Sequence, residues 1–281
     1  MKVLHNFKIV YKDGTVYDMA SDFNVLVRSF TVSSPSPNIE SETIDNGDGY
    51  VRMGKTWGPR KISALCMFFG NDDYDYYLLR NKLYQVLMDR DEYYLISDAE
   101  PWKRWLVEVS NEWSPSQIGV MGEFEISFVS ASAYAESIGT TLDSFTTDSG
   151  LWYIGSGIPS GDEYPLKYEF SNPTAQCWVY NASDVVIDPR QFPFEITFTG
   201  AADAGMYIQN YTNNTRVGFK KALVDTDVLV FSGTRVLLNG VPSFSDSQRS
   251  LLTLEKGWNR LGVRFNHENT SLKLNFRFYY I

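Results

Sequence analysis

Apolar and polar positions alternate with period two along most of the chain, the pattern of half-buried strands. Phe7, Ile9 and Tyr11 alternate with Lys8, Val10 and Lys12, and Asp13-Gly14 offers the positive φ of a tight turn before Thr15-Val16-Tyr17 returns. Residues 24–32 are β-branched and alternating, and Ser33-Ser34-Pro35-Ser36-Pro37 then breaks the ladder, since proline has no N–H to donate. Residues 39–44 and 50–53 flank Asp45-Asn46-Gly47-Asp48-Gly49 and predict a second hairpin with a longer loop. The stretch Gly54-Lys55-Thr56-Trp57-Gly58-Pro59-Arg60 is too rich in Gly and Pro for a regular central strand. Residues 61–69 are apolar on both faces, as expected of a strand buried between two layers. Strands follow at 93–96, 105–109 and 123–129, the last with Phe124, Ile126 and Phe128 on one face.

One helix interrupts this pattern. Asn71-Asp72-Asp73 supplies N-cap oxygens and negative charge at the positive end of the dipole. Leu79, Leu83, Val86 and Leu87 then recur on one helical face, and Asp89-Arg90-Asp91 ends the run.

Residues 137–161 change character, with Gly139-Thr140-Thr141, Thr146-Thr147-Asp148-Ser149-Gly150 and Gly155-Ser156-Gly157 giving linker composition. This predicts a first domain at 1–135 and a second at 136–281 that includes the Gly/Ser/Thr-rich entry. The second half offers no helix of comparable strength. It reads as short strands between turns (175–180, 194–199, 206–210, 228–231, 235–238), a sandwich or jelly roll. Leu272, Leu274, Phe276, Phe278 and Tyr280 alternate with polar and aromatic neighbours and predict one long final strand. The expected fold class is mainly β.

Composition narrows the function. The net charge of −9 and pI near 4.8 argue against non-specific nucleic-acid binding and against docking on anionic membranes. Cys66 and Cys177 sit in apolar runs and read as buried, unpaired thiols with no zinc spacing. The N-terminal residues have no apolar core of signal-peptide length, and no apolar run is long enough to span a bilayer. Asn181 and Asn210 match the glycosylation pattern by chance in a Ser/Thr/Asn-rich chain.

Candidate chemistry is sparse. The two histidines, His5 and His267, stand at the chain start and in a turn-like stretch, so no hydrolytic base is expected. Asp72, Asp73 and Asp75 fit a helix N-terminus better than a metal cluster, and Asp45 to Gly49 fits a turn better than a calcium loop. Gly155-Ser156-Gly157 is followed by Pro159 and opens no helix that could hold phosphate. No cofactor is expected. The aromatic content of 15% leaves two candidate surfaces. Trp152, Tyr153, Trp178 and Tyr180 would face a glycan in a lectin-like module, or else pack in the core. Tyr50, Val51, Met53 and Trp57, with Arg60, are larger and more apolar than a free loop requires and form a candidate subunit interface. The alternative is that Trp57 caps its own domain's core.

The order of these pieces resembles the distal tail proteins of long-tailed phages infecting Gram-positive bacteria. The stretches that carry the resemblance are Asp45-Asn46-Gly47-Asp48-Gly49 with Gly58-Pro59-Arg60-Lys61-Ile62, then Leu78-Leu79-Arg80-Asn81-Lys82-Leu83, and Phe124-Glu125-Ile126-Ser127-Phe128 with Tyr134. In the second half they are Arg235-Val236-Leu237-Leu238-Asn239-Gly240 and Leu254-Glu255-Lys256-Gly257-Trp258-Asn259. The resemblance implies an N-terminal β-sandwich or split-barrel-like domain with one α-helix and a protruding, belt-like hairpin, followed by a galectin-like jelly roll. It implies a homo-oligomeric ring, most simply a hexamer, at the virion tail tip, with no catalytic residues. The ring would be assembled in the host cytoplasm and enclose a channel through which DNA passes without sequence-specific binding. The implied partners are the tail tube protein, the tape measure protein, and a tail-associated lysin, tail fibre or receptor-binding protein. No membrane insertion is implied. The alternative function is a carbohydrate-binding module for host surface glycans.

Overall fold

The structure is a computed structural model that describes residues 5–45, 48–159, 161, 164–173, 176–264 and 270–281. Its contacts separate two compact units, Met1–Glu136 (with Ile281) and Ser137–Tyr280.

The first unit opens with the expected hairpin, Phe7–Val10 (β1) and Val16–Asp18 (β2), closed through Gly14 at φ 90. A five-residue helix, Met19–Phe23 (α1), follows; the sequence pattern did not predict it. Asp18 caps it by accepting from the Ala20 and Ser21 amides, and Asn24 ends it in the left-handed region at φ 51. Next come Val25–Val32 (β3), Pro37–Glu42 (β4), Val51–Trp57 (β5) and Arg60–Phe69 (β6). The predicted helix is Asp73–Leu87 (α2), and Tyr93–Ser97 (β7), Lys103–Val109 (β8), Ser116–Ile118 (β9) and Met121–Ser130 (β10) complete the unit.

These strands form an antiparallel sheet in the order β2-β1-β7-β8-β10-β6-β3, with β9 beside β8 on the same edge of β10. β6 and β10 pair over ten residues, from Met121 opposite Phe69 to Ser130 opposite Arg60. One face of β6 is buried through Ile62, Ala64, Cys66 and Phe68. Its other face, Ser63, Leu65, Met67 and Phe69, is only partly buried, so the expectation of a strand covered on both sides is corrected. α2 lies over the buried face. Tyr76 stacks on Phe68 at 5.1 Å between ring centroids, and Trp113 bridges Tyr84 and Phe124. The last carbonyls of α2 lack helical partners, and two phenols, one half-buried and one buried, supply them. Tyr11 donates to Val86 O at 2.7 Å and Tyr93 to Leu87 O at 2.8 Å. Burial pushes the Tyr11 phenol up to about 12, so both hydroxyls remain donors at ordinary pH.

The short strand Ala135–Ser137 (β11) leads on. The second unit is two antiparallel sheets, the architecture of a sandwich. The larger holds Glu169–Ser171 (β12), Phe194–Thr199 (β14), Val228–Ser232 (β17), Arg235–Leu238 (β18), Val241–Pro242 (β19) and Ser271–Phe276 (β21) in the order β12-β21-β14-β17-β18-β19. The smaller holds Cys177–Asn181 (β13), Met206–Asn210 (β15), Thr215–Phe219 (β16) and Gly257–Arg264 (β20) in the order β13-β20-β15-β16. Ile196, Phe198, Leu229, Leu272 and Leu274 are buried from the first sheet, and Val179, Ile208, Val217 and Leu261 from the second. Asn239 and Gly240, at φ 52 and 79, make the tight turn their dipeptide predicts.

Two expectations fail in this unit. The final alternation is not one strand: β21 stops at Phe276, and Tyr279–Tyr280 (β22) is separate. At the break Arg277 turns its Nη1 onto the carbonyls of Ser137, Ile138 and Gly139, and the Phe278 amide donates to Ser137 Oγ. The stretch from 137 is therefore no free linker. Thr141 Oγ1 donates to Leu274 O and accepts from the Phe276 amide, and Ser137 N donates to Phe278 O.

Candidate assembly surfaces

β4 and β5 form a two-stranded ribbon that no other described strand joins. β5 continues through Gly54 to Trp57, beyond the predicted end, because an edge ribbon tolerates a glycine that a central strand would not. Pairing runs from Pro37 opposite Trp57 to Glu42 opposite Val51, with a bulge between Glu40 and Ser41. This register sorts the side chains. Up to the bulge Pro37, Ile39, Lys55 and Trp57 share one face and Asn38, Glu40 and Thr56 the other; past it the pairing of Ser41 with Arg52 and of Glu42 with Val51 puts Val51 on the face of Asn38 and Glu40. The ribbon's large apolar side chains are uncovered: Met53 is 65% and Trp57 40% exposed. Lys55 Nζ lies 4.2 Å from the Trp57 ring centroid, a cation–π contact that leaves the ring half open. Tyr50 and Ile44 are exposed beside the ribbon's loop, of which Asn46 and Gly47 lie outside the described residues. A lone two-stranded hairpin is marginal in water, and contiguous exposed apolar surface marks interaction sites.

The root of the ribbon is fixed. The Gly58 amide donates to Ser36 O at 2.7 Å, and the Ser33 amide to Lys61 O at 2.9 Å. Arg60 belongs to this root and not to the interface, a correction to its grouping with Tyr50, Val51, Met53 and Trp57. It is 6% exposed, its guanidinium lies 5.1 Å from the Trp105 ring, and Nη1 reaches Ala133 O. Burial lowers its pKa from the ordinary value, opposed by Glu100.

A second apolar surface was missed in the sequence. Tyr74, Tyr77 and Leu78 stand exposed on the outer face of α2, with Arg80 5.0 Å from the Tyr77 ring. The signal was present: two aromatics and a leucine lie off the face that Leu83, Val86 and Leu87 bury.

The four aromatics singled out in the second unit separate. Trp152 is buried, stacked on Phe145 at 4.8 Å and donating Nε1 to Ser144 O, so it faces no ligand. Tyr153 is exposed. Trp178 and Tyr180 are half-buried on one face of β13, but Tyr164 stacks on Trp178 at 4.3 Å and Trp258 packs edge-on against Tyr180.

The remaining candidates are structural. Asp72 accepts from the Asp75 amide at 2.8 Å, and the Asp75 carboxylate accepts from Asn71, which is the chemistry of a helix cap. Among the described residues no cluster of His, Cys, Asp and Glu could hold a metal. His5 is exposed, and His267 lies outside the described residues. Cys66 and Cys177 are free and buried. Asn181 and Asn210 are both buried, their amides donating to Val185 O and Thr253 O, so neither is presented for glycosylation. Ser156 is buried and bonds Tyr153 O. Among the described residues no helix is long and apolar enough to cross a membrane.

Residues 12–130 match the family model of the phage tail protein RIFT-related domain. No curated protein matches the chain. Among solved structures, the Dit protein (gp 19.1) of SPP1, described as a paradigm of hub adsorption apparatus in Gram-positive-infecting phages, superposes with a TM-score of 0.67 at 14% identity, covering 97% of this chain and 99% of that one. A chain of the phage p2 baseplate in its activated conformation covers 97% of each chain at 13% identity, with a TM-score of 0.47 that adds nothing to the fold assignment. Residues 12–130 thus match a phage tail protein RIFT-related domain, and along its length the chain has the fold of the SPP1 Dit protein.

Proposed function

We propose that this chain is a structural subunit of a phage tail tip, that it forms a ring, and that it is not an enzyme. The observation that carries the reading is the β4–β5 ribbon: a two-stranded hairpin whose Ile39, Val51, Met53 and Trp57 stand exposed, inside the segment that matches a phage tail domain. A cyclic ring needs two different complementary patches on each subunit. The exposed apolar residues of the ribbon and the Tyr74–Tyr77–Leu78 face of α2 would serve as those patches. In this reading the ribbon of one subunit lies on its neighbour, six copies close the ring, and the first unit lines a channel for DNA. The net charge of −9 suits that task, since phosphate is not retained by an acidic wall. The ring joins the tail tube protein and tape measure protein on one side to a lysin, fibre or receptor-binding protein on the other. Glycan binding by the second unit has weaker support, because Trp152 is buried and Tyr164 occupies a face of Trp178.

Antibody fragments raised against the chain and imaged on intact virions test the placement. Decoration confined to the tail end is expected. Label elsewhere on the particle, or the chain's absence from purified virions, would overturn it.

A further inference from the structure

The second unit contains a cavity that the tail-tip reading does not use. It lies where β16 of one sheet and β17 and β18 of the other meet the segment 244–251, and its volume is about 150 Å³. Its walls are apolar: Val217, Phe231 and Val236 are buried, and Leu251 and the half-exposed Phe244 stand with them. An apolar space of this size holds one benzene-sized ring. Its polar features are few and distinctive. Ser250 Oγ is buried and makes no hydrogen bond among the described residues. Arg235 and Arg249 both line the cavity and are exposed. Neither guanidinium has an ion pair among the described residues, in a chain whose acids outnumber its bases by 34 to 25. Arg249 holds this place in the left-handed region, at φ 54, with its amide donating to Ser247 Oγ. That conformation is costly for any residue with a Cβ.

We infer that this cavity is a docking site for an acidic segment of a partner protein, which inserts one large apolar side chain and places flanking carboxylates on Arg235 and Arg249. Size argues for a side chain over a free small molecule. Pockets that enclose whole ligands are larger, roughly 300 Å³ and upward, and carry several convergent polar groups. This one takes an anchor and leaves the rest of its ligand outside, the arrangement of an interface hot spot ringed by charge. The two guanidiniums set the sign of the partner, because like-charged surfaces repel and opposite ones steer association. The inference stands on the cavity alone and needs no ring, so it fails or holds separately from the function proposed above.

The test uses the full chain and the capped pentapeptide Glu-Asp-Phe-Asp-Glu, titrated by calorimetry. Controls replace Phe by Gly, replace the four acids by Lys, or use phenylacetate alone. Saturable binding of the acidic Phe peptide is expected, and it should weaken with added salt. Arg235→Gln and Arg249→Gly should each lower affinity by roughly two- to fivefold, the range for exposed ion pairs. Arg249→Gly also relieves the left-handed backbone, so its melting temperature should hold or rise, which separates lost binding from lost folding. No binding of the acidic Phe peptide, equal binding of the Gly or Lys peptide, or unchanged affinity in both variants would overturn the site. Phenylacetate binding as tightly as the peptide would overturn the protein partner, since the cavity would then serve a free aromatic acid.

Discussion

β5 and β6 are neighbours in sequence, separated by Gly58-Pro59, and both alternate, yet they end in opposite surroundings. β6 is paired along its length by β3 on one edge and β10 on the other, and its inward face lies under α2 and the rings of Phe68, Phe124 and Tyr76. β5 has one partner, β4, and its apolar side chains lie open. The alternation defines a face in each strand but not what covers it. For β6 the cover comes from the same chain. For the ribbon the chain places no described element over Val51 and Met53, and the proposed ring would supply the cover.

If that contrast is sound, substitutions on the two faces have opposite signatures. Phe128 is fully buried opposite Ile62 and packs edge-on against Phe7 and Tyr93. Phe128→Ala should cost about 3–5 kcal/mol in chemical denaturation, enough to unfold much of the first unit. Gly122 is a gentler probe of the same layer. A Cβ there would collide with the Phe68 ring, itself pinned under Tyr76. Gly122→Ala should therefore destabilise by about 1–3 kcal/mol, and a neutral result would mean the helix layer yields more easily than described. On the ribbon, Met53→Ser with Trp57→Ala should change the unfolding free energy by no more than about 0.5 kcal/mol, because the native subunit leaves both exposed. The smallest effect is expected of the thiols. Burial pushes Cys66 and Cys177 up to about 12, so neither forms appreciable thiolate near neutrality. Iodoacetamide at about pH 8 should leave the folded chain unlabelled and modify both cysteines once it is denatured. Labelling of Cys66 in the folded chain would show that the β6 layer opens.

Much of this contrast was legible in the sequence. The strict alternation of Phe124, Ile126 and Phe128, the caps of α2 and the Asn239-Gly240 turn each obey local rules, and the structure follows them. The ribbon's apolar residues were legible too, because Val51, Met53 and Trp57 are oversized for a loop. What escaped depends on distant partners. Arg60 sits beside Trp57 in sequence and reads as an interface arginine, but Trp105 and the Ala133 carbonyl hold it inside. Trp152 lies in a stretch of linker composition, yet Phe145 and Phe278 enclose it. Arg277 fits an alternating strand until three carbonyls from 137–139 draw it aside. α1 is too short for a helical period to register, and only its cap, Asp18, marked it.

The most direct test is the native mass of the full chain beside that of the Met53→Ser, Trp57→Ala variant, measured by light scattering across a concentration series with thermal melts in parallel. The expected result is a closed multi-subunit particle for the unaltered chain and a monomer for the variant, with melting temperatures that agree. A ribbon that served its own subunit would give the opposite result: a variant that melts early, or one that assembles as the unaltered chain does.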